Sequence, residues 1–79
     1  MLHLKELPCY DGRKSFYNKA QIMEHNGVVY LFSYGTPVAR VFKDGEIERL
    51  WSGNSRTTSR HFKSFLIHLG MKPVKFSDI

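Results

Sequence analysis

Apolar and polar residues alternate through the middle of the chain and then change period. In the run "VVYLFSY" (residues 28–34), Val29 and Leu31 fall on one side of an extended strand and Tyr30, Phe32 and Tyr34 on the other, because successive side chains of a strand point to opposite faces. Comparable runs rich in β-branched and aromatic residues occupy about 15–25, 38–43 and 46–51,. Asn26-Gly27 and Asp44-Gly45 punctuate them, and both dipeptides tolerate the positive φ angles of tight hairpin turns. Gly35 and Pro37 in "YGTPV" supply a third turn,. With every connection short, the four strands form an antiparallel meander.

After Trp51 the period becomes helical. Phe62, Phe65, Leu66 and Leu69 fall at steps of three, one and three, which gathers them on one face,. Ser55 or Thr57 can cap the start, since a hydroxyl there accepts from an otherwise unpaired backbone N–H. Gly70 suits the left-handed position that ends a helix, and Pro73 forbids simple continuation. The spacing predicts a helix over about 58–69, within a helical segment 57–70. The fold expected is α+β, a four-stranded antiparallel meander followed by one C-terminal helix (ββββα). Residues 1–14 form an irregular N-terminal arm, 15–51 the meander and 71–79 a tail, all in one small domain. Pro8 argues against a regular strand in the arm, although a short extra strand there stays open. One helix covers one sheet face, yet Tyr30, Phe32 and Tyr34 on one side and Val29 and Leu31 on the other are all large and apolar. The second face therefore calls for its own cover: another copy of the chain in a homodimer, the terminal segments, or a ligand with flat rings.

Composition narrows this picture. A chain of 79 residues with 42% hydrophobic and 14% aromatic content should fold,, around a core thinner than that of a larger domain. Cys9 is the single cysteine, which excludes an internal disulfide and a multi-cysteine zinc site. Oligomerisation is the remaining support for so small a core. No apolar run approaches the roughly 18 residues needed to span a bilayer, and the N-terminus lacks a secretory pattern. A soluble intracellular chain with no membrane partner is expected.

The net charge of +5 is unevenly placed. Residues 1–50 carry seven Lys/Arg and six Asp/Glu, a balance of +1, whereas residues 51–79 carry five against one, a balance of +4. That field attracts phosphates or acidic protein surfaces, although basic residues also serve simply to keep a small protein soluble. Its centre is "WSGNSRTTSRHFKSFL" (residues 51–66), where hydroxyl and amide side chains crowd the predicted helix start. A helix N-terminus exposes unpaired N–H groups and the positive end of a dipole. Arg56, Arg60 and Lys63 share one side of the helix, offset from the apolar stripe,. The candidate anion or nucleic-acid site is therefore Ser55, Arg56, Thr57, Thr58, Arg60, His61 and Lys63, with Arg13 and Lys14 as a second basic cluster. The plainer alternative is that the hydroxyls only cap the helix and the cations only solvate its outer face.

Other chemistry finds less support. His61 and His68 lie seven apart with no Cys, Asp or Glu beside either, whereas helical metal ligands stand three or four apart. No metal or other cofactor is called for. Cys9 has no neighbouring histidine and no helix start beside it,. Asp44, Glu46 and Glu48 read as the solvent face of a hairpin. Tyr17, Tyr30, Tyr34 and Trp51 can stack on bases or serve as core and interface aromatics.

"YDGRKSFYNKA" (residues 10–20) and "NSRTTSRHFKSFL" (residues 54–66) resemble a family of small uncharacterised proteins encoded by phages and plasmids of Gram-positive bacteria. Ser55, Thr57, Thr58, Arg60 and His61 match its Ser-x-Thr-Thr block. An aromatic tends to precede that block where this chain has Asn54, which removes a stacking group there but neither the cap nor the charge. The resemblance implies an origin rather than an activity, and with it the cytoplasm of a bacterial host. Such an origin favours handling nucleic acid or blocking a host defence system. The function expected is non-enzymatic: contact with phosphates of nucleic acid or of a nucleotide through the basic helix start. The alternative is an inhibitor of host defence, binding an acidic surface of a defence protein as an anti-CRISPR factor would, or a sponge for a signalling nucleotide. An enzyme, for instance a nuclease, is the remote third reading.

Overall fold

The computed structural model describes residues 4–8, 19–53 and 55–79. Among them, five strands form one antiparallel sheet in simple sequential order: β1 (Lys5–Glu6), β2 (Ala20–His25), β3 (Val28–Ser33), β4 (Thr36–Val41) and β5 (Ile47–Arg49). Helix α1 (Arg56–His68) follows, then a short 3-10 turn, Phe76–Asp78. The α+β meander with a helix after it is present, with one strand more than expected. That strand lies within the N-terminal arm, where the sequence leaves a short extra strand open beside an irregular course. Lys5 and Glu6 pair with Ile22 and Gln21, and Leu7 continues the ladder by donating its N–H to the Ala20 carbonyl at 2.9 Å while its side chain is fully buried. Residues 9–18, including the expected start of the first long strand at 15, lie outside the described residues.

Three turns fold the meander. Asn26 and Gly27 have φ of 54° and 79°, the paired positive angles of the mirror-image turn whose twist matches that of the strands it joins. Tyr34 and Gly35 have φ of 53° and 80° and form the same two-residue link between Ser33 and Thr36. Tyr34 is therefore a turn residue, not the last outward residue of a strand. The third link has three residues. Phe42 donates to Glu46 at 2.8 Å, and Gly45, at φ 89°, donates back to Phe42.

The sheet sends one face to the helix. Ile22, Leu31 and Ala39 stand side by side across β2, β3 and β4, and Val29, Val41 and Ile47 stand side by side across β3, β4 and β5. A register shift between Leu31 and Phe32 leaves Val38 as an extra residue on β4. The bulge accommodates Pro37, which has no N–H for the ladder, and Val38 is buried. Phe62, Phe65 and Leu66 of α1 are fully buried in the same core. The helix ends where Gly70, at φ 75°, donates to Ile67 and Met71 donates to Leu66, both at 2.9 Å. Those two bonds satisfy carbonyls that the last turn would leave unpaired. The tail is not peripheral: Phe76 is fully buried, its ring edge-on to Phe62 with centroids 5.3 Å apart.

The second face carries Met23 opposite Tyr30, Gln21 opposite Phe32, and Arg40 opposite Glu48. The Arg40 guanidinium spreads over the Phe42 ring at 4.9 Å and the Tyr30 ring at 5.9 Å, and it pairs with the Glu48 carboxylate. Hydrogen bonds to the Tyr30 hydroxyl and to Glu48 raise its pKa above the ordinary arginine value. The three rings Tyr30, Phe32 and Phe42 remain half-buried. Among the described residues no helix is long and apolar enough to cross a membrane.

Candidate functional site at the start of the helix

The chain enters α1 through Ser55, whose extended backbone (φ −153°, ψ 141°) turns its hydroxyl to accept from the Thr58 N–H at 3.2 Å. Ser59 N–H bonds to the Ser55 carbonyl at 3.0 Å and opens the helical ladder. The N–H groups of Arg56 and Thr57 have no acceptor among the described residues. No acidic residue stands in the first turn. The partial positive charge of the helix start is thus left to be answered from outside the helix.

Beside this cap lies a pocket of about 200 Å³ lined by Ser33, Tyr34, Thr36, Val38, Trp51, Ser55 and Thr58. It forms because the β3–β4 hairpin end meets the first turn of α1. Its floor is a small polar network. Ser33 Oγ lies 2.9 Å from His61 Nδ1 and 3.4 Å from Thr58 Oγ1, and all three residues are buried. Packing a hydroxyl against an imidazole lets both stay inside at little cost, since each meets the other's hydrogen-bonding need. The rim is aromatic. Tyr34 is 59% exposed, its ring 5.8 Å from that of His61, with the Lys19 ammonium 5.9 Å from its centroid. Trp51 is held by Phe76, with centroids 6.3 Å apart, and by Gly53, where an added Cβ would run into the indole.

A sequence model for a family of unknown function, DUF8033, matches residues 4–79. The chain belongs to that family. No curated protein and no solved structure matches it.

In this DUF8033 chain the structure distributes the sequence-predicted site residues over three depths. Arg56 and Lys63 are exposed on α1, while Ser55, Thr57 and Arg60 are half-buried. Thr58 and His61 are buried, at 4% and 1% exposure, so they reach the pocket region from beneath rather than from the surface. Arg13 and Lys14 lie outside the described residues. Ser33, Thr36 and Val38 join the site from the hairpin, and sequence reasoning did not place them there. One signal was available for Ser33: it follows Val29 and Leu31 in the core-facing phase, where a polar residue needs a buried partner. Its partner is 28 residues away, and no local pattern names it.

Proposed function

We propose that this is a non-enzymatic binding protein of phage or plasmid origin that contacts phosphates of nucleic acid or of a nucleotide through residues 55–63. The observation that carries the reading is the helix start itself. Two N–H groups without an acceptor among the described residues, at Arg56 and Thr57, sit with an exposed guanidinium in a first turn that contains no acid. The +4 balance of residues 51–79 adds a long-range field of the same sign,. Phosphate contacts of this kind supply affinity with little sequence preference. Arg13 and Lys14, outside the described residues, enter the reading on charge alone.

The test is a titration of fluorescein-labelled oligonucleotide, duplex and single-stranded, across a series of salt concentrations. Binding should weaken steeply as salt rises. Replacing Arg56 and Lys63 together by Ala should lower the slope of log K against log salt by about 2, roughly one for each phosphate no longer neutralised. Both side chains are exposed, so the double variant should stay within about 0.5 kcal/mol of the parent in stability. Binding that is level across the salt series refutes the reading.

A second reading is favoured by the half-buried ring belt of Tyr30, Phe32 and Phe42 on the far sheet face. It is a protein contact, as in an inhibitor of a host defence protein. Capture of one partner from a bacterial lysate that survives nuclease treatment, and is abolished by Phe42→Ser, supports it.

A further inference from the structure

Phosphate contact at the helix start leaves the neighbouring pocket without a role. Its size, wall chemistry and rim are specific enough to name an occupant. At about 200 Å³ it lies below the roughly 300–1,000 Å³ typical of pockets that enclose a whole small-molecule ligand, so it admits one ring system. Five hydroxyl-bearing residues line it, Ser33, Tyr34, Thr36, Ser55 and Thr58, with Val38 as its aliphatic wall and the rings of Tyr34 and Trp51 as its aromatic ones. Ser33, Ser55 and Thr58 already have partners within the chain, which leaves the hydroxyls of Thr36 and Tyr34 without one among the described residues. A phenylalanine or leucine from a protein partner would strip water from those two and return no hydrogen bonds. A heterocycle with ring nitrogens and carbonyl oxygens returns them. Around the rim the charge is positive: Lys19 stands over Tyr34, and Arg56 follows Ser55 directly.

Tyr34 is the informative residue. It occupies a left-handed turn position with φ 53°, where Asn, Asp or Gly is the ordinary choice and a bulky ring is rare. Its ring is more than half exposed and its hydroxyl has no hydrogen-bond partner among the described residues. Folding alone would be better served by another residue there.

We infer that the pocket lined by Tyr34 and Trp51 takes one unstacked nucleobase of a single strand, stacked on Tyr34, while the strand's phosphates pass the helix start. This rests on the phosphate-binding reading and adds a strand preference that the reading alone does not contain. Stacking one base on an aromatic ring contributes about 1–3 kcal/mol, a factor of about 5 to 150 in affinity.

The experiment compares the full chain with Tyr34→Asn and Tyr34→Phe. Asn suits the left-handed turn, so loss of binding in that variant is not a folding defect, and thermal melts check it. Anisotropy titrations use a labelled single-stranded oligothymidylate and a hairpin duplex at one salt concentration, and Trp51, the only tryptophan, reports the pocket by fluorescence. The expected result is a 5- to 150-fold loss of single-strand binding for Tyr34→Asn, with the duplex affinity and the salt slope unchanged. Tyr34→Phe should retain binding, and single strand but not duplex should quench Trp51. Equal binding of the single strand by parent and Tyr34→Asn overturns the inference, and if the salt slope still depends on Arg56 and Lys63 the phosphate reading stands. Absence of all oligonucleotide binding overturns both. Tyr34-dependent capture of a protein with no single-strand binding assigns the pocket to an aromatic side chain instead.

Discussion

The guanidinium of Arg49 lies 4.2 Å from the centroid of the Phe76 ring and donates to the carbonyls of Trp51, Gly53 and Phe76. One side chain at the end of β5 thereby ties the loop that enters α1 to the tail that leaves it. No carboxylate takes part in these contacts. The cation is spent on backbone acceptors, and its planar fork reaches three at once in a way a lysine cannot.

Replacing Arg49 by Lys or Met should accordingly destabilise the fold through the loop and tail, not through charge. Hydrogen bonds from charged donors are worth about 1.5–3 kcal/mol each, and some of the freed carbonyls will rehydrate. The expected loss is about 2–3 kcal/mol for either variant by urea denaturation. A Lys variant as stable as the parent would show that charge, not the fork, is what matters.

Tyr34→Asn should raise stability although it removes a ring contact. A left-handed φ costs a residue with a Cβ about 1–2 kcal/mol, less for Asn, while the tilted pairing with His61 is worth about 0.5–1.5 kcal/mol and is discounted because Tyr34 is mostly exposed. The balance is about 0.5–1 kcal/mol, a rise of about 4 °C in melting temperature for a domain of this size. Strain held at one exposed residue is a pattern associated with function, and a fall in melting temperature would remove that argument.

Ser33→Ala deletes the oxygen that His61 Nδ1 and Thr58 Oγ1 both face. A buried group left without its partner costs about 1–3 kcal/mol. Denaturant melts should show a loss in that range, with Ser33→Thr intermediate if its extra methyl can be accommodated. A neutral Ser33→Ala would mean that water enters the pocket and replaces the hydroxyl.

Gly53→Ala is expected to be costly for a different reason. The new Cβ would crowd three atoms of the Trp51 indole, all within 2.6 Å, and the indole is backed by Phe76. Overpacking of this kind costs about 1–3 kcal/mol. Because Trp51 also lines the pocket, a shift in its fluorescence maximum should accompany the lower stability.

The turns and the helix were legible because their causes are local. Asn-Gly at 26–27 carries its own φ preference, and the end of α1 follows from Gly70. The helix runs Arg56–His68, within a residue or two of the expected 57–70. The error at Tyr34 has a local cause as well: alternation extended the strand by one residue, whereas Gly35 draws the turn back so that Tyr34 becomes its first central position. The extra strand was harder to read. Lys5 and Glu6 carry no apolar alternation, and they are a strand only because β2 offers an open edge to them.

The amino-acid order by itself determined the period of each segment, the places where the chain reverses, the sign of the charge near the helix start and the two hydroxyl residues, Ser55 and Thr57, of which Ser55 caps it. Those properties depend on neighbours a few positions away, so a short window contains them. Tertiary structure alone decided that Phe76 from the tail closes the core under Trp51, that Ser33 meets His61 across 28 positions, and that Tyr34 stands at the rim of the pocket above them. Each of these contacts joins segments whose separate preferences do not mention the other, and only the joint packing of sheet, helix and tail selects it.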